Sequence, residues 1–185
     1  MKKIRIGIIG NGGICKGAHV PTYVEDERVE IVGVCDIIEE RAQFLKDTYF
    51  PDAKVYTDYK ELLKDVSIDS VDICTPNYLH SIIAVDAFKA GKNVFCEKPD
   101  AIDVTEVLKM QKAADEAGKL LMVMRNNRFV GASKYAKKYI NDCKMGDIYC
   151  GRCGWQRRRG IPARAVGLPP RSSPAAVLSS TSAFI

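Results

Sequence analysis

Short runs of β-branched and aliphatic residues alternate along the chain with longer segments in which apolar residues recur at helical spacing. The apolar runs lie at residues 4–9, 29–35, 53–56, 70–74, 93–96 and 120–124. The segments with helical spacing lie at residues 13–24, 38–49, 58–64, 79–90 and 103–118. This alternation predicts repeated β-α units and a parallel sheet. Because the runs are apolar at almost every position, we expect helices to cover both faces of that sheet.

The alternation stops after residue 124. A segment of helical spacing at 133–142 leads to a strand-like stretch at 146–158, and from Pro162 onward Pro, Ala, Ser and Arg dominate. The fold class that we expect is α/β, a doubly wound parallel sheet followed by the incomplete start of a second domain. The expected boundaries are 1–124 for the α/β domain, 125–161 for the start of the second domain and 162–185 for a segment without a recognisable pattern.

Composition limits the range of functions. The 185 residues are enough for one domain and the beginning of another, and 46% hydrophobic with 28% charged residues is typical of a globular protein. No apolar run is long enough to span a membrane, and no apolar signal segment precedes the first strand. We therefore expect a soluble, cytoplasmic protein. Most of the seven cysteines lie in apolar segments, which favours free buried thiols.

Two features that could indicate other functions are weak. Much of the net charge of +5 comes from arginines after residue 156, and no nucleic-acid-binding signature accompanies them, so we expect no nucleic-acid partner. Cys150 and Cys153 have the spacing of zinc ligands. No second pair of cysteines or histidines lies near them, so we expect no metal site.

The first predicted strand leads directly into a glycine-rich stretch, GNGGIC at residues 10–15. Gly10, Gly12 and Gly13 lie between the end of this strand and the helix that follows. A dinucleotide needs glycines at such a turn, because the backbone bends sharply and the pyrophosphate approaches the amides at the helix N-terminus. Cys15 occupies the third glycine position of the G-x-G-x-x-G pattern, and its small side chain still allows close packing.

Asp36 ends the second predicted strand, where a carboxylate can accept hydrogen bonds from the ribose hydroxyls of adenosine. An alternative role is to cap the next helix, because Asp36 and Glu39 have the spacing of a capping box. Ile37 follows Asp36 where a cation would favour NADP, so the sequence favours NAD. Arg41 lies one helical turn further on and could reach a phosphate, which keeps NADP open as an alternative.

Two more polar stretches follow predicted strands, CTPNYLH at residues 74–80 and CEKPDA at residues 96–101. Ligands of open α/β sheets bind at these carboxyl ends. The prolines at positions 76 and 99 restrict the residues before them to extended conformations. Lys98 can orient a substrate hydroxyl or stabilise negative charge there. Its alternative role is a surface ion pair with Glu97.

These motifs together resemble a known family. GIIGNGGI, VCD, DICTPNYLH and NVFCEKP, in this order, are similar to the N-terminal domain of the Gfo/Idh/MocA oxidoreductases, and the resemblance covers residues 3–161. It implies a Rossmann domain that binds NAD or NADP, followed by an α+β substrate domain. It also implies a reaction that moves hydride between a sugar or cyclitol hydroxyl and the nicotinamide.

The same resemblance implies which residues border the cofactor. The pyrophosphate turn comprises Gly10, Asn11, Gly12, Gly13 and Ile14, and the adenosine end comprises Asp36 and Arg41. The stretch after the fourth strand contributes Thr75, Pro76, Asn77 and His80. The nicotinamide and substrate end comprises Glu97, Lys98 and Pro99, and Lys98 is the candidate catalytic residue. For His80, packing of a helix-start residue against the loop is an equal alternative.

The family pattern breaks off near Pro162. Members of the family continue with a Trp-Phe pair, a Gly-Gly-Gly run and a D-x-G-x-H element whose Asp and His serve the substrate, and none of these follows here. A reading frame shifted by one base permits GGGPLIDIGVH in place of residues 175–185. We therefore expect a frameshift between Pro162 and Ala165, with an out-of-frame, disordered segment over 162–185.

Two functions follow from this reasoning. The first is that we expect the chain to be the cofactor-binding part of a sugar or cyclitol dehydrogenase. Its oligomer interface would be lost and its turnover weak or absent. The alternative is a non-catalytic NAD(P)-binding module or partner subunit.

Overall fold

The structure, a computed structural model, describes residues 2–151. Its contacts divide the described residues into two compact units, one up to residue 124 and one from residue 125 onward. The strands of the first unit are β1 Ile4–Ile9, β2 Val29–Cys35, β3 Lys54–Tyr56, β4 Ser70–Ile73, β5 Asn93–Cys96 and β6 Leu121–Val123. Its α-helices are α1 Val20–Glu25, α2 Glu39–Tyr49, α3 Tyr59–Lys64, α4 His80–Lys89 and α5 Val104–Ala117.

The six strands form one sheet in the order β3-β2-β1-β4-β5-β6, and every neighbouring pair is parallel. This is the strand order of a Rossmann fold, with the order reversing between β1 and β4. The predicted doubly wound parallel sheet is therefore confirmed.

Side chains of successive strand residues point to opposite faces, and each face has its own core. Ile8 of β1 belongs to the core that α1 and α2 cover, together with Val20, Ala42 and Leu45. Ile9 belongs to the opposite core, which α3, α4 and α5 cover with residues such as Leu62, Phe88 and Met110. Burial on both faces explains why the strands are apolar at almost every position.

Two regions depart from the predicted helix boundaries. The segment predicted as one helix over 13–24 contains a π-helical turn, Cys15–His19, in which the Val20 N–H donates to the Cys15 carbonyl five residues earlier. The helix predicted over 79–90 begins at His80, because the preceding residues form a 3₁₀ turn, Asn77–Leu79. Such π turns inside α-helices are frequent at functional sites.

Residues 125–151 belong to the second unit. They contain a 3₁₀ turn, Asn126–Phe129, and helix α6, Gly131–Asn141, which is close to the predicted helix at 133–142. No strand forms over 146–151, so this part of the strand predicted at 146–158 is wrong within the described residues. The remainder of that stretch, Cys153 and the segment 162–185 lie outside the described residues. None of the helices in residues 2–151 combines the length and the apolar character needed to cross a membrane.

Candidate functional site

The glycine-rich turn lies where the strand order reverses. The Gly10 N–H donates to the Cys35 carbonyl and the Cys74 N–H donates to the Ile9 carbonyl, both at 2.8 Å. Gly10 has a φ of +93°, and a Cβ there would lie 2.8 Å from the Cys74 carbonyl carbon. Gly10 is therefore required by the backbone itself.

For Gly12 and Gly13, no contact within the protein explains why a residue without a side chain is present. Apart from the adjoining backbone, a Cβ on Gly12 or Gly13 would have no atom of the described residues within 4 Å. The space over these two residues is open, as a turn that receives a pyrophosphate requires. The Lys16 N–H donates to the Gly12 carbonyl at 3.1 Å, so the helical segment starts directly at this turn.

Asp36 is buried beside the turn, and both of its carboxylate oxygens accept backbone hydrogen bonds. Oδ2 accepts from the Asn11 N–H at 2.8 Å and Oδ1 from the Ile38 N–H at 2.9 Å. Helix α2 begins at Glu39 with Ile38 at its cap and no capping side chain, so Asp36 is not its N-cap. Arg41 Nη1 lies 4.0 Å from Asp36 Oδ1, and about half of the Arg41 side chain is exposed.

Two buried polar side chains next to this turn have no hydrogen-bond partner in the structure. They are the Asn11 amide, through both Oδ1 and Nδ2, and the Thr75 hydroxyl Oγ1. Asn11 is completely buried. Buried polar groups without a partner are costly, so such a pair indicates groups that a ligand or water satisfies.

The stretches after β4 and β5 are held together by His80. Its ring is fully buried, with Nε2 at 2.9 Å from the Thr75 carbonyl and Nδ1 at 2.7 Å from the Pro99 carbonyl. Carbonyl oxygens only accept, so each of these two hydrogen bonds requires an N–H on the ring nitrogen that faces the carbonyl. The peptide bond between Lys98 and Pro99 is cis. These contacts give His80 a role in joining the two loops.

Lys98 is exposed at the carboxyl end of β5. Among residues 2–151, its ammonium forms no ion pair with a carboxylate, and Glu97 turns the other way, into the protein. One oxygen of Glu97 lies 3.0 Å from His19 Nε2, and the other accepts from the Lys98 backbone N–H at 2.9 Å. The surface ion pair considered for Lys98 and Glu97 does not form.

A buried polar cluster that the sequence did not predict lies beneath this site. We call it the His19 cluster, and it comprises His19, Tyr23, Asp72, Cys74 and Glu97. His19 Nδ1 lies 2.7 Å from Asp72 Oδ2, and the Tyr23 hydroxyl donates to the same oxygen at 2.9 Å. Cys74 Sγ lies 3.6 Å from both His19 Nδ1 and Asp72 Oδ1.

The cluster is charged. Burial alone lowers the pKa of His19, but hydrogen bonds and charges from Asp72 and Glu97 outweigh burial and raise that pKa to about 10. Burial opposes ionisation of Glu97, yet the hydrogen bonds from His19 and the Lys98 N–H lower the pKa of its carboxyl. His19 is therefore an imidazolium between two carboxylates at neutral pH.

Three ligand atoms of this cluster, from His19, Asp72 and Cys74, lie within 4.8 Å of one another. A zinc ion at about 2 Å from both a nitrogen and an oxygen in tetrahedral geometry would hold them roughly 3.3 Å apart. His19 Nδ1 and Asp72 Oδ2 are closer than that, at 2.7 Å. The geometry is that of a hydrogen bond rather than of two metal ligands.

The sequence contained one signal for this cluster. Asp72 interrupts an otherwise apolar strand, and a charge in a strand buried on both faces needs a partner. His19 is one of only two histidines, and it lies one turn after Cys15 on the buried side of its helical segment. The partnership joins residues far apart in the chain, and the separate patterns do not show it.

The chain is similar to known oxidoreductases. The family model of the Gfo/Idh/MocA proteins, described as an oxidoreductase family with an NAD-binding Rossmann fold, matches residues 4–125. D-glucoside 3-dehydrogenase of Escherichia coli K12 is 31% identical over 163 residues, which cover 88% of this chain and 46% of that enzyme. Inositol 2-dehydrogenase of Salmonella typhimurium LT2 is 34% identical over 137 residues, which cover 74% and 38% respectively.

A solved structure shows the same fold. The WlbA dehydrogenase from Bordetella pertussis, crystallised with NADH and UDP-GlcNAcA, aligns with a TM-score of 0.75 and 32% identity over 80% of this chain and 42% of that one. This chain spans less than half the length of each of these three proteins. The matched family model covers the whole Rossmann sheet. The chain belongs to the Gfo/Idh/MocA family of oxidoreductases, whose members bind NAD through this domain.

Proposed function

We propose that residues 2–124 bind NAD in the orientation of a sugar or cyclitol dehydrogenase, with Asp36 selecting NAD over NADP. The observation that carries this proposal is the hydrogen bond from the Asn11 N–H to Asp36 Oδ2, which fixes a carboxylate beside the glycine turn. A carboxylate held there accepts hydrogen bonds from ribose hydroxyls and repels a 2′-phosphate.

The chain has a place for each part of the cofactor. Gly12 and Gly13 leave the space over the turn open for the pyrophosphate, and Asp36 takes the adenosine ribose. The partnerless Asn11 amide in the pyrophosphate turn and the partnerless Thr75 hydroxyl supply polar atoms for the cofactor or for water that accompanies it. When bound, the nicotinamide accepts or supplies the hydride.

Lys98 acts at the substrate end. Its exposed ammonium, free of carboxylate partners in the described chain, donates to the reacting hydroxyl and stabilises negative charge on that oxygen. The substrate class, a sugar or cyclitol, follows from the dehydrogenases named above. The same cofactor-binding surface would serve a non-catalytic module, which remains the second candidate because proton transfer has no evident residue.

A dehydrogenase of this kind also needs a base for the hydroxyl proton. The chain has two histidines, His19 and His80, and both are buried and engaged in the Rossmann unit. No histidine is present in residues 125–185. We propose that the sequence after Pro162 is translated out of frame. We also propose that the chain binds NAD without efficient turnover.

The variant D36A tests the cofactor assignment in the full chain. Affinities for NAD⁺ and NADP⁺ are measured by calorimetry for the wild type and the variant. Loss of hydrogen bonds to a charged group lowers NAD⁺ affinity about tenfold or more. NADP⁺ affinity is maintained or rises, because the charge that repels the 2′-phosphate is gone.

Asp52→Ala is the matched control, since Asp52 is an exposed acid on the surface after α2. Its affinities are expected to equal those of the wild type. A D36A variant whose preference for NAD⁺ over NADP⁺ is unchanged would contradict the role of Asp36. A wild-type chain that binds neither nucleotide would contradict the proposed function as a whole.

A further inference from the structure

The His19 cluster connects the interior of the sheet to the backbone of Lys98. Asp72 is completely buried in β4, and His19 lies between it and Glu97, which follows β5. The second oxygen of Glu97 accepts from the Lys98 N–H at 2.9 Å. The His19 imidazole therefore links β4 to the end of β5. Through Glu97 it is also connected to the backbone of Lys98, whose ammonium is exposed.

The π turn places His19 in this position. The Val20 N–H reaches back to Cys15 instead of Lys16, so the helical segment is widened at His19. Cys15 and His19 are both buried on the side that faces the sheet. The ring also packs at 5.7 Å, centroid to centroid, against Phe95 of β5, which limits its rotation. Its position is thus restricted by packing as well as by two hydrogen bonds.

The two contacts of the His19 ring with carboxylates require the ring to be positively charged. Carboxylate oxygens only accept hydrogen bonds, so an imidazole that contacts carboxylates through both nitrogens holds them only as a doubly protonated ring. Without the ring, the two buried carboxylates would have no positive charge between them, and their repulsion would push Glu97 outward. The imidazolium keeps Glu97 turned inward, where its other oxygen meets the Lys98 N–H.

We propose that His19 is a positioning residue, which is anchored on Asp72 and holds Glu97 against the Lys98 backbone N–H, so that the Lys98 ammonium faces the nicotinamide end of the site. This inference rests on the proposed function, since it gives the cluster a task only if the nicotinamide binds there. Asp36, at the adenosine end, shares no hydrogen bond or ion pair with the cluster among the described residues.

The test compares NADH with ADP-ribose, which lacks the nicotinamide. In the full-length chain, H19Q is expected to weaken NADH binding three- to tenfold and to leave ADP-ribose binding unchanged. Combining H19Q with K98A should give no further loss beyond K98A alone, because residues that act as a unit are not additive. A purely structural role for His19 would weaken both ligands alike and remain additive with K98A.

Tyr59→Phe is the matched control. It removes one partly buried hydrogen bond from a tyrosine to a carboxylate, Asp86, outside the His19 cluster, and the ratio of NADH to ADP-ribose affinity should stay at the wild-type value. If H19Q does not fold, E97Q provides the second variant. It keeps an acceptor for the Lys98 N–H but removes the charge that His19 holds, and the same selective loss of NADH affinity is expected.

Nitrogen NMR of the wild-type imidazoles gives an independent measurement. At pH 8, the His19 ring should show both nitrogens protonated, and a neutral ring would overturn the proposal. An unchanged ratio of NADH to ADP-ribose affinity in both H19Q and E97Q would also overturn it, while leaving NAD binding intact. A wild-type chain that binds neither ligand would overturn the proposed function and the positioning role together.

Discussion

At the scale of single residues, the burial of two carboxylates around one imidazole is the unusual feature of this domain. Removing one partner of a buried ion pair costs about 3–5 kcal/mol, because the remaining charge is left without compensation. The side chains of His19, Asp72 and Glu97 are each at most 8% exposed, so solvent does little to replace a lost partner. Substitutions in this trio therefore have larger effects than substitutions at surface ion pairs such as Lys64 with Glu61.

The charge of His19 predicts how stability depends on pH. The pKa of His19 is about 10 in the folded protein, against 6.5 for an unperturbed histidine. Protonation therefore stabilises the fold fully below pH 6.5, and this contribution is lost as the pH rises towards 10. Between pH 8 and pH 10, the difference in unfolding free energy between the wild type and H19Q should shrink by about 2 kcal/mol.

Urea unfolding at several pH values in this window measures that difference. S81A is the control, because it removes a hydrogen bond to a carboxylate, from the Ser81 hydroxyl to Glu106, and no group that titrates between pH 8 and pH 10. The difference between the wild type and S81A should stay constant. A constant difference for H19Q as well would mean that His19 is already neutral at pH 8.

At the scale of elements, the turn between β1 and the first helical segment separates two reasons for glycine. Gly10 is needed by the protein, since its φ is +93° and a Cβ would meet the backbone after β4 at 2.8 Å. Gly12 has free space where a Cβ would lie. The first glycine therefore serves the fold, and for the second we propose that it leaves room for the cofactor.

Two alanine variants distinguish these reasons. G10A should lower the free energy of unfolding by at least about 2 kcal/mol, through backbone strain and a steric clash. G12A should change it by less than about 0.5 kcal/mol. Because the Cβ in G12A enters the space proposed for the pyrophosphate, NADH affinity should fall at least tenfold. Thermal unfolding and NADH titration measure the two effects, and G12A with unchanged NADH affinity would argue against this path for the pyrophosphate.

The helices and strands also show how much of the fold could be predicted from the sequence. All six strands and the five helices of the first unit were predicted from periodicity, because each buries an apolar face that the pattern reveals. The π turn at Cys15–His19 was missed, since one extra residue in a turn leaves the apolar spacing almost unchanged. The glycine turn could be predicted from local chemistry, whereas the contact between His19 and Asp72 depends on the tertiary arrangement.

At the scale of the whole molecule, the six-stranded sheet and both histidines belong to the Rossmann unit, and the sequence has no histidine in residues 125–185. We expect that it binds NADH yet forms no detectable NADH from NAD⁺ with myo-inositol or glucosides, followed at 340 nm. Sequencing the DNA across codons 155–190 is the companion measurement. A single inserted or deleted nucleotide that restores GGGPLIDIGVH would confirm the frameshift. Turnover by the chain with the present sequence would contradict the inference that it lacks a residue to accept the hydroxyl proton.

The position of β1 has a consequence for synthesis on the ribosome. β1 is the first strand to be translated, yet it lies in the middle of the sheet, with Ile9 paired to both Cys35 and Ile73. One of its edges stays open until β4 has left the exit tunnel, and contacts between residues distant in sequence form slowly. Gly10 cannot pack against the backbone of Cys74 and Thr75 until these residues have also left the tunnel. A nascent chain that pauses before residue 75 would therefore offer an aliphatic strand edge, a ready target for chaperones.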